Sequence, residues 1–146
     1  MRNGDFFVAD GYCNTRIVKF DSSGRKILQI GRGYQLSMAE RLLNQRPPPY
    51  AFNIPHALAL AEDQDLLCVA DRENGRIQCF TASTLKHQYT IDSRLFGGRV
   101  FSVAYSAVDG MLFFVDFRPL MVDFRPLMVD FEANTFVYYR GNTLCS

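Results

Sequence analysis

Leu67-Cys68-Val69-Ala70-Asp71-Arg72-Glu73-Asn74-Gly75-Arg76-Ile77-Gln78-Cys79-Phe80 is the stretch on which the reading of the fold turns. Two apolar runs flank a short polar segment that ends in glycine, the pattern of two antiparallel strands joined by a tight turn. If Asp71 opposes Arg76 across that turn, the numbers of opposed residues sum to 147. Cys68 then stands directly across from Cys79, on one face of the hairpin. Opposed Cβ atoms in such a pair lie about 4.5–5.5 Å apart, near what a disulfide needs. Two free cysteines packed in a sheet are the other reading, and the matched register favours the bridge.

The same pattern occurs elsewhere in the chain. Phe7-Val8-Ala9-Asp10, a short polar loop and Arg16-Ile17-Val18-Lys19-Phe20 form an earlier copy, and Leu112-Phe113-Phe114-Val115-Asp116 begins a weaker third. The shared aspartates Asp10, Asp71 and Asp116 are 61 and 45 residues apart. The longer interval holds a Gly-, Arg- and Pro-rich stretch, 31–49, that reads as an inserted loop. Without it the period is about 45 residues, that of a four-stranded propeller blade. Within one unit the expected strands are Ala57–Ala61, Leu66–Ala70, Arg76–Phe80 and His87–Ile91, with turn-forming breaks between them. A generic β-sandwich has similar turn spacing, but two copies of one Asp-loop-Arg-Ile hairpin favour the repeat. The expected organisation is a single region, 1–146, of three units: roughly 5–50, 51–95 and 96–146.

With 146 residues, 48% hydrophobic and 21% charged, the chain can bury a core. A formal net charge of +1 gives no broad electrostatic reason to bind nucleic acid or an anionic membrane. No apolar run approaches the roughly 18 residues of a spanning helix, and the first residues lack the apolar stretch of a signal peptide. Propellers close with about 4–8 blades, so three units read as a fragment with open strand edges at both ends. Val-Asp-Phe-Arg-Pro-Leu-Met occurs at 115–121 and again at 122–128. Pro119 and Pro126 exclude a helical heptad there. The duplication reads as a tandem insertion or an assembly error and carries no chemistry.

Three polar side chains are candidates for chemistry. In a four-stranded blade, the loop leading into the innermost strand and the loop joining strands two and three lie at the same end. His56 occupies the first kind of loop, Arg72 the second, and Tyr12 the equivalent loop of the preceding unit. All three are expected at one mouth of the propeller. An imidazole, a guanidinium and a phenol there suit binding of, or proton transfer on, a ligand bearing a carboxylate. From the residues alone, the favoured reading of Arg72 and Tyr12 is that of ordinary exposed loop positions. A lone histidine is more often structural than a ligand, since zinc takes three or four. The only other histidine, His87, lies in another strand with no ligand spacing to His56.

Asp10-Gly11-Tyr12-Cys13-Asn14-Thr15-Arg16-Ile17-Val18, Pro55-His56-Ala57-Leu58-Ala59-Leu60 and the Leu67–Phe80 hairpin resemble the peptidyl-α-hydroxyglycine α-amidating lyases, which are built from NHL-type repeats. The likeness covers most of residues 5–105, lapses from Asp116 to Met128 and returns weakly at Val129–Arg140. It implies an all-β fold, about half of a six-bladed NHL-type propeller. It also implies cleavage of peptidyl-α-hydroxyglycine to a C-terminal peptide amide and glyoxylate, with zinc as catalytic metal and calcium as structural ion. By position, His56 matches one of three zinc histidines, Tyr12 a tyrosine acting as base on the substrate hydroxyl, and Arg72 an active-site arginine. Cys68 and Cys79 match a disulfide pair. Cys13 matches a cysteine whose partner lies outside this chain, and Cys145 has no visible partner. The other two zinc histidines, a further catalytic arginine and the calcium ligands have no matching positions. The chain alone is therefore expected to be inactive. The resemblance also implies a linked or separate monooxygenase as partner and a secretory or extracellular setting. The non-enzymatic alternative is a degenerate NHL-type propeller that binds protein or peptide.

Overall fold

The structure is a computed structural model that describes residues 1–92, 98–116, 126–130, 135–140 and 143–145, with side chains described as far as residue 115. It is all-β. The first sheet joins β1 (Phe6–Asp10), β2 (Arg16–Phe20) and β3 (Lys26–Ile30), with a single helical turn, α1 (Gly11–Asn14), between the first two. A short parallel pair follows, β4 (Arg32–Gly33) with β5 (Ala51–Phe52), and between them lies helix α2 (Met38–Leu42). The second sheet is a four-stranded antiparallel meander of β6 (Pro55–Ala61), β7 (Leu66–Asp71), β8 (Arg76–Thr81) and β9 (His87–Ile91). The third runs β10 (Val100–Ser106), β11 (Met111–Asp116), β12 (Pro126–Asp130), β13 (Thr135–Arg140) and β14 (Thr143–Cys145). The sheets stack side by side, β6 lying against β1 on one side and β10 on the other. This is part of a β-propeller, as the repeat predicts.

The two central strands of the second sheet, β7 and β8, are buried on both faces, which is why β7 reads as the unbroken apolar run Leu-Leu-Cys-Val-Ala. Side chains alternate across a strand. Leu66, Cys68 and Ala70, with Ile77 and Cys79, pack on Val100, Val103, Leu112 and Phe114 of the third sheet. Leu67, Val69 and Phe80 face the other way, onto Ile17, Leu28 and Ile30 of the first. The register of β7 with β8 is the one the hairpin implies, Cys68 opposite Cys79 and Asp71 opposite Arg76. The two cysteines form a disulfide.

The inserted stretch 31–49 is more ordered than a loop. Ser37 caps α2, its hydroxyl accepting from the Glu40 amide while the Glu40 carboxylate accepts from the Ser37 amide. Tyr34 also donates its hydroxyl to Glu40 (2.6 Å). The far end of the insert is held by a buried polar network on the second sheet. Arg76 donates to the carbonyls of Pro47, Pro48 and Ala51, and through Nε to Asp71 (2.8 Å). Gln78 donates to Ala51 and Asp71 and accepts from the Tyr50 amide. These are side chains of a sheet capturing the main chain of a loop.

Of the duplicated segment 115–128, residues 117–125 lie outside the described residues. The end of the second copy enters β12, with Pro126 as its first residue opposite Val115, a position where a missing N–H is tolerated. Among the described residues no helix is long and apolar enough to cross a membrane.

Two stability outcomes follow from these contacts. Replacing both Cys68 and Cys79 by alanine is expected to cost on the order of 3 kcal/mol in chemical denaturation, the effect of opening a loop of this length. A non-reducing peptide map should recover the two cysteine peptides joined. Asp71→Ala leaves the Arg76 guanidinium buried without its counter-charge and is expected to cost about 3–5 kcal/mol in the same measurement.

Candidate functional site

Each Asp-loop-Arg hairpin ends in a turn at the same edge of the stack, and glycines set how closely those turns approach the next sheet. A Cβ on Gly11 would lie 2.1 Å from the Pro55 carbonyl oxygen. Only glycine lets α1 rest on the start of β6, which brings Tyr12 beside His56, their ring centroids 6.1 Å apart. In the second hairpin, residues 72–74 form a 3₁₀ turn closed by Gly75 at φ +59°. A Cβ there would lie 2.7 Å from the Gly98 carbonyl oxygen. That contact sets the Arg72 turn against the segment leading into β10.

The three predicted residues come together. Arg72 donates from a terminal nitrogen to the Tyr12 hydroxyl (3.1 Å) and from Nε to Glu73 (2.8 Å). Its guanidinium also lies over two rings, 5.6 Å from the Tyr12 centroid and 5.2 Å from that of Phe101. Although Arg72 sits on a turn, its side chain is only 16% exposed. Tyr12 is 73% exposed and open to solvent. His56 Nδ1 is 2.7 Å from the Phe101 carbonyl oxygen. A carbonyl can only accept, so Nδ1 carries the hydrogen and the neutral ring presents its lone pair at Nε2.

The backbone around His56 is held under strain. Ile54, a β-branched residue, adopts φ +55°, a conformation seldom seen outside glycine. Three backbone-directed hydrogen bonds keep it there: Arg72 N–H to the Ile54 carbonyl (3.2 Å), Glu73 N–H to the Asn53 carbonyl (3.0 Å), and Asn53 N–H to the Asp71 carboxylate (2.8 Å). Burial pushes the Asp71 carboxyl above the usual carboxylate range, against the lowering effect of hydrogen bonds from Asn53, Asn74 and Arg76. Its counterpart Asp10 makes the same pairing with Arg16 at the surface, and there the hydrogen bonds from Arg16 and Asn14 pull its value down.

Four contributors escaped the sequence reading: Phe101, Glu73, Arg99 and the strained Ile54. Glu73 takes Arg72 on one carboxylate oxygen and Arg99 on the other (3.0 Å). Phe101 had a findable signal, because one 45-residue period before it stands His56. The remaining candidates lie away from the cluster. His87 is on β9, its Nε2 3.0 Å from the Thr90 hydroxyl and its ring packed on Phe80 and Tyr50. Cys13 is an exposed free thiol, and the Cys145 side chain is outside the described residues.

The NHL repeat family matches residues 52–80. The chain is 43% identical over 145 residues to peptidyl-glycine alpha-amidating monooxygenase B of Xenopus laevis, covering 95% of this chain and 16% of that protein. It is 45% identical over 110 residues to peptidyl-alpha-hydroxyglycine alpha-amidating lyase 1 of Drosophila melanogaster, 75% of this chain and 20% of that protein. The chain is a homologue of the amidating lyases. A third relative, the probable peptidyl-alpha-hydroxyglycine alpha-amidating lyase pgal-1 of Caenorhabditis elegans, is 43% identical over 108 residues, 70% of this chain and 28% of that protein. This chain thus spans less than a third of each of these three relatives. Among solved structures, U3-55K superposes with a TM-score of 0.69 at 18% identity, over 98% of this chain and 38% of that one. The WD40 repeats of RRP9 give 0.67 at 19%, over 93% and 34%. At such identities these structures speak for the propeller fold alone.

Two measurements check these placements, one within the cluster and one at His87 outside it. Gly11→Ala should drive α1 off Pro55 and remove the Tyr12–His56 ring contact, seen as a loss of cross-peaks between the two rings by NMR. Desolvation, and secondarily the Arg76 charge, holds the His87 imidazole below its ordinary value of 6.5. Its ring signals should therefore titrate with a midpoint below 6.5. The matching contribution to stability is full above that pH and is lost as acid protonates the ring.

Proposed function

We propose that this chain carries part of the active surface of a lyase that cleaves peptidyl-α-hydroxyglycine into a peptide amide and glyoxylate. The observation that carries the reading is the Tyr12–Arg72–His56 cluster, three side chains from two hairpins and a strand start, joined by a hydrogen bond and ring contacts at one end of the stack. Kinship with proteins named for that reaction supports it.

In this reading Tyr12 takes the proton of the substrate hydroxyl. As phenolate its oxygen keeps the Arg72 hydrogen bond, which then becomes charge-assisted on both sides. The O–H electron pair becomes the second bond of the new carbonyl, the C–N bond breaks with its pair going to nitrogen, and that nitrogen takes back the proton from the Tyr12 hydroxyl, which returns the side chain to its starting state. Arg72 is held by Glu73 and the Phe101 ring, so its guanidinium is in place before substrate arrives, and it also suits the substrate carboxylate.

His56 fits the role of one zinc ligand. Its Nδ1 hydrogen is committed to a backbone carbonyl and its Nε2 is left to coordinate, the arrangement usual for metal-bound imidazole. Among the described residues no three His, Cys, Asp or Glu side chains gather into a metal site, so the other ligands come from elsewhere in this reading. Bound at such a site, zinc supplies a Lewis acid that acidifies a coordinated hydroxyl. Calcium remains part of the proposal without assigned residues. A monooxygenase that supplies the hydroxylated peptide, and an oxidising secretory setting, complete it; the Cys68–Cys79 bridge supports that setting.

The test is a transplant. Residues 5–105 replace the matching segment of the Drosophila lyase, and zinc-dependent glyoxylate release is assayed. The chimera is expected to turn over, and Tyr12→Phe within it to lower kcat by about 10²–10⁴-fold, the usual worth of a positioned base. The 146-residue chain alone is expected to release little glyoxylate, because one imidazole does not hold catalytic zinc. A Tyr12→Phe chimera as active as its parent overturns the reading.

A further inference from the structure

We propose that the cleft between the inserted segment and the Arg72 turn is a subsite for the peptide upstream of the reacting residue, with a preference for an acidic side chain in that peptide. The inference rests on the lyase reading for its orientation and on the following geometry for its existence.

The cleft has a volume of about 470 Å³, within the range of small-ligand sites. One wall is the insert, with Arg41 and Arg46, and the other is the turn bearing Glu73, Asn74 and Gly75. Glu73 also holds Arg72 (2.8 Å), so the cleft begins one residue from the candidate site. The insert wall is built to keep its place. Buried Arg76 and Gln78 grip its main chain at Pro47, Pro48, Tyr50 and Ala51, and the capping box closes α2.

The lining chemistry selects the occupant. Side-chain amides of Gln35 and Asn53 offer both donors and acceptors, and Asn74, whose amide nitrogen donates to Asp71 (2.9 Å), adds its amide oxygen as an acceptor; this suits the alternating N–H and C=O groups of an extended peptide. Of the four charged residues in the lining, three are neutralised locally. Arg46 pairs with Asp92 (2.9 Å), and Glu73 is shared by Arg72 and Arg99. Arg41 donates its Nε to the Leu36 carbonyl (3.1 Å), which anchors the guanidinium, and it has no carboxylate partner among the described residues. It is therefore the group in the cleft whose charge is left for a ligand carboxylate to answer.

The test uses the intact chain, ¹⁵N-labelled, with three uncleavable probes that end in glycine: acetyl-Glu-Val-Gly, acetyl-Lys-Val-Gly and acetylglycine. The Glu probe is expected to shift the backbone amides of Asn74, Gly75 and Gly98 together with those of Tyr12 and His56. It should bind about fivefold more tightly than the Lys probe, the scale of one partly exposed ion pair. Arg41→Gln, an exposed change on α2, should bring the two probes to equal affinity. Acetylglycine binding as tightly as the tripeptides without shifts at 74, 75 and 98, a Glu preference that survives Arg41→Gln, or no shifts with any probe at millimolar concentration would each overturn the subsite. Acetylglycine shifting Tyr12 and His56 in the first of these cases leaves the lyase reading standing. Cleft shifts with none at Tyr12 or His56 support the subsite and count against the lyase reading.

Discussion

One buried carboxylate organises this molecule. Asp71 is fully enclosed and accepts hydrogen bonds from the Asn53 amide, Asn74, Arg76 and Gln78. The four donors come from three pieces of local structure: the link into β6, the tight turn, and two successive inward positions of β8. A carboxylate moved out of water at this depth is tolerated only when its lone pairs are satisfied. Satisfying them here fixes three backbone segments relative to one another. The Ile54 conformation, the placement of His56 and the grip of Arg76 on the inserted segment all follow from that requirement.

The sequence was most informative where two constraints coincided. A polar turn between two apolar runs fixes a hairpin, and one proposed pair, Asp71 with Arg76, fixes every other pair in it because a strand register has no intermediate states. That is why the Cys68–Cys79 bridge could be read from numbering. The convergence of Tyr12, Arg72 and His56 was legible for a similar reason, since alternating strand direction dictates which loops share an end. The inserted segment was opaque because its order comes from Arg76 and Gln78, which look like ordinary strand residues until their partners are known. Glu73 and Arg99 were opaque too. Their pairing depends on where the segment before β10 falls relative to the Arg72 turn, and no local pattern encodes that.

Repetition explains both what the site contains and what it omits. Residues one period apart occupy the same place on successive sheets, so His56 and Phe101 stand side by side as equivalents, one offering a ring nitrogen and the other a ring face and a carbonyl. Likewise, the tyrosine of the first hairpin turn and the glutamate of the second both meet Arg72. A repeat architecture supplies equivalent positions at no extra structural cost, and divergence at those positions turns a symmetric rim into a chemically uneven one.

The glycines at 11 and 75 carry this further. At both, one backbone lies directly on another, too close for any side chain to intervene. The spacing of the rim is therefore a property of peptide planes rather than of side-chain shapes. Strand residues can drift in size without altering how far apart the rim groups stand, and the turn residues that face outward can be exchanged for new chemistry without moving the scaffold. Such a rim separates inheritance of geometry from inheritance of reactivity. A descendant can lose one while keeping the other intact.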